Sequence, residues 1–425
     1  MRQRLRILAL VPPDKNARRN AAYTVLQEEL MAFDNAGVEV HVVNPHTKSV
    51  ARVQQTTMHP IPRIREMWHT LRSLPRIRSR AIQRGGIASR FFQQLRIARY
   101  DLAIESIIRA HAIDLVYSPF GWPPGTAGIE PAHRVGIPVV VSLRGADVFG
   151  IAEINYGSAK LEDVITTTLR RADHVIGVSR ALSEEAIALG VPADRTSVVL
   201  KGVDVDRFSV GDRSESRRKL GLDEVPTVLF VGNFVPVKGI DTLLRAFDRL
   251  VGDVPSAQLV MCGDGDELEK VRRFQEESPE SRRVIVPGRV SRELIPDYFR
   301  AADVFVLPSL SEGSGNVLLE AAACGCPTIG SNVGGIPDYI EDGVTGLLFE
   351  SQDDQQLARH LRRLLENPHE AAQMGRAGRE RTVEKFPYGR MIDEILNLFQ
   401  RVVAHYKSEQ GNSHPVMEPT SVAGL

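Results

Sequence analysis

One alternation limits what this chain can fold into. Short, unbroken aliphatic runs are followed by Gly-, Pro- or Asp-containing loops and then by longer amphipathic stretches. The runs are Leu5–Val11, Val38–Val43, Ile113–Tyr117, Pro138–Leu143 and His174–Val178, then Thr227–Val231, Gln258–Cys262, Val284–Pro287 and Val304–Leu307. A strand that is apolar on both faces must be covered on both, which a parallel sheet with crossover helices achieves. Repetition of the unit predicts an α/β fold with open, doubly wound sheets. At 425 residues the chain is too long for one core and suits two such domains.

The alternation pauses once, around 201–226, where a polar, charged segment precedes a fresh apolar strand. An N-terminal Rossmann-like domain is therefore expected over 1–205 and a C-terminal one over 206–386. Met391–Tyr406 has apolar residues at helical spacing and predicts a packed helix within 387–410. The polar tail, 411–425, is expected to be disordered. Ligands of open α/β sheets sit at the carboxyl ends of the strands, so the cleft between two such domains is the expected site.

Three cysteines exclude a disulfide scaffold, and Cys324 and Cys326 have no Cys or His pair nearby in sequence to complete a zinc site. No apolar run reaches membrane-spanning length. Leu5–Val11 is too short for a signal core and is followed by Pro12-Pro13, so it reads as a first strand and the expected compartment is the cytoplasm. Lys+Arg and Asp+Glu are both 53, but the balance is uneven. Residues 1–200 carry 26 basic and 18 acidic side chains, leaving 27 and 35 for residues 201–425. A basic half, about +8, therefore precedes an acidic half, about −8.

Much of the basic excess lies in 52–110, with 12 Arg against three acids. Ile64, Met67, Trp68 and Leu71 recur at helical spacing before Pro75, and a second helical pattern runs from Ile87 to Ile108. Two readings stand side by side: ordinary surface helices, or a basic amphipathic face lying on an anionic membrane surface, peripheral at the inner membrane face. A nucleic-acid partner is not expected, because aromatics are few and no nucleic-acid module is recognisable.

The segment richest in chemistry is Ser309–Glu350. A strand ends, a loop of Glu312, Gly313, Ser314 and Gly315 follows, and a helix opens near Asn316. Small residues admit a ligand close to the backbone, and the free N–H groups of the first turn, at Asn316 and Val317, form an anion site suited to phosphate. Glu312 and Glu320 flank that site, where they would repel a phosphate but accept hydrogen bonds from sugar hydroxyls. A nucleotide sugar has phosphates in the middle and sugars at both ends.

Glu312-x7-Glu320, followed by AAACGCP and GGIPD, resembles the signature of the GT4-type retaining glycosyltransferases of GT-B fold (glycosyltransferase group 1). VGNFVPVKGIDTLLRAF (Val231–Phe247), VIGVSRAL (Val175–Leu182), KGVDVDRF (Lys201–Phe208), CGDGDE (Cys262–Glu267), VPGRV (Val286–Val290) and DGVTGLLF (Asp342–Phe349) extend the likeness in order. The resemblance implies two facing Rossmann-like domains, with the last helix crossing back onto the first. It implies that Glu312 contacts the donor sugar, that the amides of Gly313, Ser314 and Gly315 meet the diphosphate, and that Glu320 binds the ribose. Lys238 would neutralise the diphosphate, Gly232 would admit it closely, and Gly288-Arg289 would lie by the base. A lysine and a helix N-terminus do the work of a cation, so no metal or other cofactor is expected. The DxD-like strings Asp204–Asp206 and Asp264–Asp266 fall inside KGVDVDRF and CGDGDE and are not read as metal ligands.

Three departures from the family pattern matter. Asn233 stands where an Arg is usual. Arg144-Gly145 stands where His-Gly is frequent, which makes Arg144 and Asp147 candidates for the role of that His or members of a structural ion pair. The first loop, Pro12–Ala22, lacks paired glycines and instead offers Lys15, Asn16, Arg18 and Arg19 to an anionic acceptor. The expected activity is transfer of a hexosyl group from a UDP- or GDP-hexose, with retention, to a glycan or lipid-linked acceptor in polysaccharide or cell-envelope assembly. A soluble sugar-phosphate acceptor, a nucleotide-sugar epimerase of the same fold and a non-catalytic sensor are the alternatives.

Overall fold

The computed structural model describes residues 4–11, 21–43, 51–53, 56–60, 101–145, 160–277 and 283–412. The first loop, Asp147, the Ile64–Leu71 pattern and most of the Arg-rich stretch lie outside them, as does the tail beyond 412.

Among the described residues the N-terminal sheet has eight strands: β1 (Arg6–Leu10), β2 (Glu39–Val43), β3 (Ala51–Val53), β4 (Thr56–His59), β5 (Leu115–Ser118), β6 (Val139–Leu143), β7 (His174–Gly177) and β8 (Thr196–Val198). The C-terminal sheet has six: β9 (Thr227–Val231), β10 (Gln258–Cys262), β11 (Val284–Gly288), β12 (Val304–Leu307), β13 (Thr328–Ser331) and β14 (Gly346–Phe349). Every apolar run named above is a strand, and all pairings are parallel except β3 with β4 at one edge. The strand orders are β3-β4-β2-β1-β5-β6-β7-β8 and β11-β10-β9-β12-β13-β14.

The first domain's helices are α1 (Ala21–Asn35), α2 (helical over 101–111), α3 (Thr126–Val135), α4 (Lys160–Arg171) and α5 (Arg180–Ala188). The second contributes α6 (Arg213–Leu220), α7 (Ile240–Asp253), α8 (Leu268–Glu277), α9 (Ile295–Ala301), α10 (Asn316–Ala323), α11 (Asp354–Glu366) and α12 (Pro368–Lys385), and α13 (Tyr388–Asn412) ends the described chain. Their buried faces follow the 3.6-residue repeat: α7 buries Leu243, Leu244, Phe247, Leu250 and Val251. Each sheet is covered on both faces, giving two apolar clusters per domain.

The topology locates the site. In the second domain the chain leaves β9 toward β10 and β11 on one side and returns to β12, β13 and β14 on the other. The crevice at such a reversal opens at the strand carboxyl ends. The loops there are Gly232–Gly239 after β9 and Pro308–Gly315 after β12.

The last helix belongs to the first domain's core. Met391, Ile392, Ile395, Phe399, Val402 and Val403 of α13 pack with Leu26, Leu30 and Phe33 of α1. The Phe399 ring lies 5.8 Å from that of Phe33 and 5.1 Å from that of Tyr117. Phe399 is fully buried, so Phe399→Ala should cost about 3–5 kcal/mol. Urea denaturation measures this; a loss under about 1 kcal/mol would mean that the helix contributes little to this core.

Candidate active site

Two loops of the second domain bring Glu312 and Lys238 together. After β9 the chain turns through Pro236–Lys238 and Gly239, and Lys238 points toward the loop that follows β12. Leu310 N–H donates to the Val237 carbonyl at 2.8 Å and ties the loops side by side. Lys238 Nζ then donates to Glu312 Oε2 at 2.5 Å, and the Ser309 hydroxyl donates to the same oxygen at 3.2 Å. Burial pushes Glu312 up, but Lys238, the Gly315 N–H and Ser309 outweigh it, so its pKa lies below the ordinary value and the carboxylate is charged.

The helix after this loop starts without a side-chain cap. Gly315 is in the left-handed region at φ +67°, and α10 begins at Asn316 with its first-turn N–H groups free of side-chain acceptors. The Ser314 hydroxyl donates to Asn316 Oδ1 at 2.9 Å, and Gly313 and Ser314 are buried. Glu320 sits one turn into α10, on the side of Asn316. Burial raises its pKa to about 7; Arg292 and Arg207 only partly offset this, and Glu28 opposes them. Burial thus holds this carboxyl well above the ordinary carboxylate range, suited to hydrogen bonding with hydroxyls.

The remaining predicted residues line the approach. Gly232 closes the end of β9: its N–H donates to the Cys262 carbonyl at 3.0 Å, and a Cβ on Gly263 would lie 1.9 Å from its oxygen. Asn233 is exposed beside it. Arg289 lies 3.7 Å from Asp264, at a groove of about 470 Å³ lined by Gly263, Val286, Pro287 and Gly288. Val317 is half-buried at the start of α10. The three cysteines are buried, and burial raises their thiol pKa values.

Arg144 takes a different position. Its side chain turns into the first domain, where Arg144 Nη2 donates to Glu29 Oε1 at 2.5 Å and to the Tyr117 hydroxyl at 3.1 Å. Tyr117 itself donates to Glu29 Oε1 at 2.7 Å, and Lys201 Nζ to Glu29 Oε2 at 2.9 Å. Burial alone would raise the Glu29 pKa, but Arg144, Lys201 and Tyr117 hold it at about 2. The site-facing part of Arg144-Gly145 is backbone. Gly145 lies at φ +114°, a Cβ on Gly313 would come 2.2 Å from the Arg144 oxygen, and one on Gly145 would come 2.9 Å from Gly313 Cα. Two glycines thus let the loops of opposite domains touch.

Other motif residues close the cleft floor. Ser179 caps α5, and the Arg180 N–H donates across the cleft to Asp338 Oδ2 at 2.8 Å. The Tyr339 hydroxyl accepts from the Lys201 N–H at 3.0 Å and donates to the Val178 carbonyl at 3.4 Å. Arg292 pairs with Glu28 of α1. Sequence reasoning had no role for Glu29, Tyr117 or Lys201. The signal for Glu29 was an acid on the apolar stripe Leu26, Leu30, Phe33 of α1.

Removing the Glu29 carboxylate would strand two buried cations. Glu29→Ala should cost about 3–5 kcal/mol in urea denaturation at pH 7. Because the folded pKa lies below the unfolded 4.5, this stability is complete above pH 4.5 and is lost as pH falls toward about 2. The variant should lack that part of the wild-type acid transition; identical acid profiles would refute the assignment.

Known proteins place the chain in a family. The family described as "Glycosyl transferases group 1" matches residues 212–381, and "Glycosyltransferase Family 4" matches 23–207. A D-inositol 3-phosphate glycosyltransferase of Geodermatophilus obscurus is 36% identical over 303 residues, 67% of this chain and 65% of that protein. The match thus spans just under two thirds of that relative's length. A GDP-mannose-dependent alpha-(1-6)-phosphatidylinositol monomannoside mannosyltransferase of Mycolicibacterium smegmatis is 33% identical over 313 residues, 69% of this chain and 79% of that one. Among solved structures, sucrose-phosphate synthase of Thermosynechococcus elongatus superposes with a TM-score of 0.75 at 22% identity, over 95% of this chain and all of that one. Anabaena HepE in complex with UDP gives 0.72 at 18% identity, over 94% and 100%. With both family descriptions falling in order along the chain, one on each sheet, and with this extent of identity, the chain belongs to the group 1, family 4 glycosyltransferases of GT-B architecture.

Proposed function

We propose that this glycosyltransferase moves a hexosyl group, with retention of configuration, from a UDP- or GDP-hexose to a glycan or lipid-linked acceptor. The observation that carries the reading is the Lys238–Glu312 pair beside the uncapped start of α10. A donor diphosphate seated there competes with Glu312 for Lys238. Once Lys238 turns to the phosphates, Glu312 is free to accept hydrogen bonds from the hexose hydroxyls. Charge developing on the leaving phosphate is met by the ammonium and by the first-turn N–H groups, which need no reorganisation during the reaction. Glu320 would take the ribose hydroxyls, and the Gly288-Arg289 groove the base. Attack from the leaving-group side, with the departing phosphate accepting the acceptor proton, gives retention without a protein nucleophile. No metal or other cofactor is assigned to this step.

The acceptor belongs to the first domain. The names of the two relatives include an inositol phosphate and a phosphatidylinositol mannoside, so a phosphate-bearing acceptor, soluble or lipid-linked, is the shared chemistry. A third relative, named alpha-maltose-1-phosphate synthase, favours the soluble form as a second reading. No described helix is long and apolar enough to cross a membrane. The basic excess of 52–109 is the part of the chain suited to an anionic lipid surface.

Glu312→Ala and Lys238→Ala should each lower transfer by about 10²–10³-fold while leaving the protein folded. In a thermal-shift panel of UDP-, GDP- and ADP-sugars, one donor at 100 times its dissociation constant should stabilise the wild type by about 2.7 kcal/mol. Wild-type transfer by either variant, or no stabilisation by any nucleotide sugar, would refute the reading.

Sedimentation with liposomes separates the acceptor forms. Binding to anionic but not neutral vesicles, with transfer to a lipid-linked acceptor, is the expected result. Equal partitioning and transfer only to a free sugar phosphate would replace the lipid-linked reading with the soluble one.

A further inference from the structure

Three histidines far apart in sequence meet at the edge of the first domain. His41 lies in the middle of β2, His59 at the end of β4, and His111 at the end of α2. The register pairs Val43 with His59 and His41 with Thr57, so His41 and His59 are diagonal neighbours on one face of the sheet. That face also carries Leu8, Leu10 and Val43 and is the one covered by α2. The ring centroids are 5.2 Å apart for His41 and His59, 4.5 Å for His41 and His111, and 4.9 Å for His59 and His111. His41 and His59 are 2% and 4% exposed; His111 is the least buried.

The nitrogens converge. One ring nitrogen from each residue lies within 4.8 Å of the other two. His41 Nδ1 is 2.9 Å from His59 Nε2. On its far side, His41 Nε2 is 3.0 Å from Glu39 Oε1. A carboxylate accepts only, so the neutral His41 ring carries its proton on Nε2 and turns the lone pair of Nδ1 toward the other two rings. A carboxylate behind a histidine whose second nitrogen faces a cluster of imidazoles is the outer-shell arrangement of metal-bound histidine.

We propose that His41, His59 and His111 bind a divalent transition-metal ion, Zn²⁺ by the softness and number of the imidazoles, with Glu39 fixing His41 from behind. Zinc–nitrogen bonds of 2.0–2.1 Å place tetrahedral ligand nitrogens about 3.4 Å apart. The His41–His59 contact opens by about half an ångström and His111 swings in, both small ring rotations. The fourth position falls to solvent on the His111 side. The site shares no residue with the donor cleft and takes no part in the transfer reaction. Its ligands come from β2, β4 and α2, so the bound ion clips the outer strands and this helix to the sheet.

The test uses the untagged full-length chain, stripped with a chelator and titrated with Zn²⁺ alone. Expected results are one equivalent bound per chain, a rise in melting temperature, and visible d–d bands of a tetrahedral centre when Co²⁺ replaces Zn²⁺. His111→Asn, at the accessible end, should fold and weaken Zn²⁺ binding at least tenfold with loss of the Co²⁺ bands. Glu39→Gln should weaken it about 10–100-fold while keeping the bands. No uptake by the wild type would leave the three rings as a hydrogen-bonded stack and overturn the proposal. Equal binding by the wild type and His111→Asn would overturn it too, because the ion would then sit on other histidines.

Discussion

Glu29 carries a negative charge in the interior because three donors from separate parts of the chain converge on its two oxygens. Tyr117 comes from β5, Arg144 from the end of β6, and Lys201 from the segment that leads into the second domain. In a low-dielectric interior, a carboxylate and two cations are tolerable only together, each removing the desolvation cost of the others. The cluster therefore fixes α1, two strand ends and the interdomain segment in one geometry. The Lys201 backbone N–H continues the chain of contacts to Tyr339 of the second domain. Arg144 and its neighbouring glycine are held in place by this cluster, and Gly145 is what the Glu312 loop touches. The cleft depends on a charge buried behind it.

From that anchor the site is a matter of small residues and strand ends. Gly145, Gly313 and Gly315 let backbones approach where side chains would collide, and the reversal of strand order between β9 and β12 aims two loops at one space. Lys238 and Glu312 meet there as a pair. A ligand bearing both phosphate and hydroxyl groups satisfies both partners at once. On the proposed reading, one lysine and a helix start meet the anionic ligand locally, so the overall negative charge of this half is no obstacle.

Most of the fold was legible because nine of its strands are apolar runs followed by amphipathic helical stretches. The short strands β3, β4 and β8 of the first sheet and β13 and β14 of the second were not. They are three or four residues long, β3, β4 and β8 carry polar residues such as Arg52, Thr56 and Ser197, and they exist through pairing with a neighbour rather than through their own pattern. At the site, Glu312 and the glycine loop were legible through the local order of strand, loop and helix, whereas Lys238, 74 residues from Glu312, was singled out only through the family resemblance. Arg144 was legible only as an alternative between cleft and ion pair, because its direction depends on Glu29, 115 residues away.

The family resemblance singled out Lys238; the sequence by itself determined the two doubly wound domains and the glycine-rich loop with Glu312. These are local matters of periodicity and turn chemistry. Only the tertiary structure decided that Arg144 faces inward, that Tyr117 and Lys201 join it around Glu29, and that His41, His59 and His111 share one corner. Contacts between residues tens to hundreds of positions apart leave no mark on local pattern. Their energy comes from burial and charge pairing, which exist only once the sheets are closed.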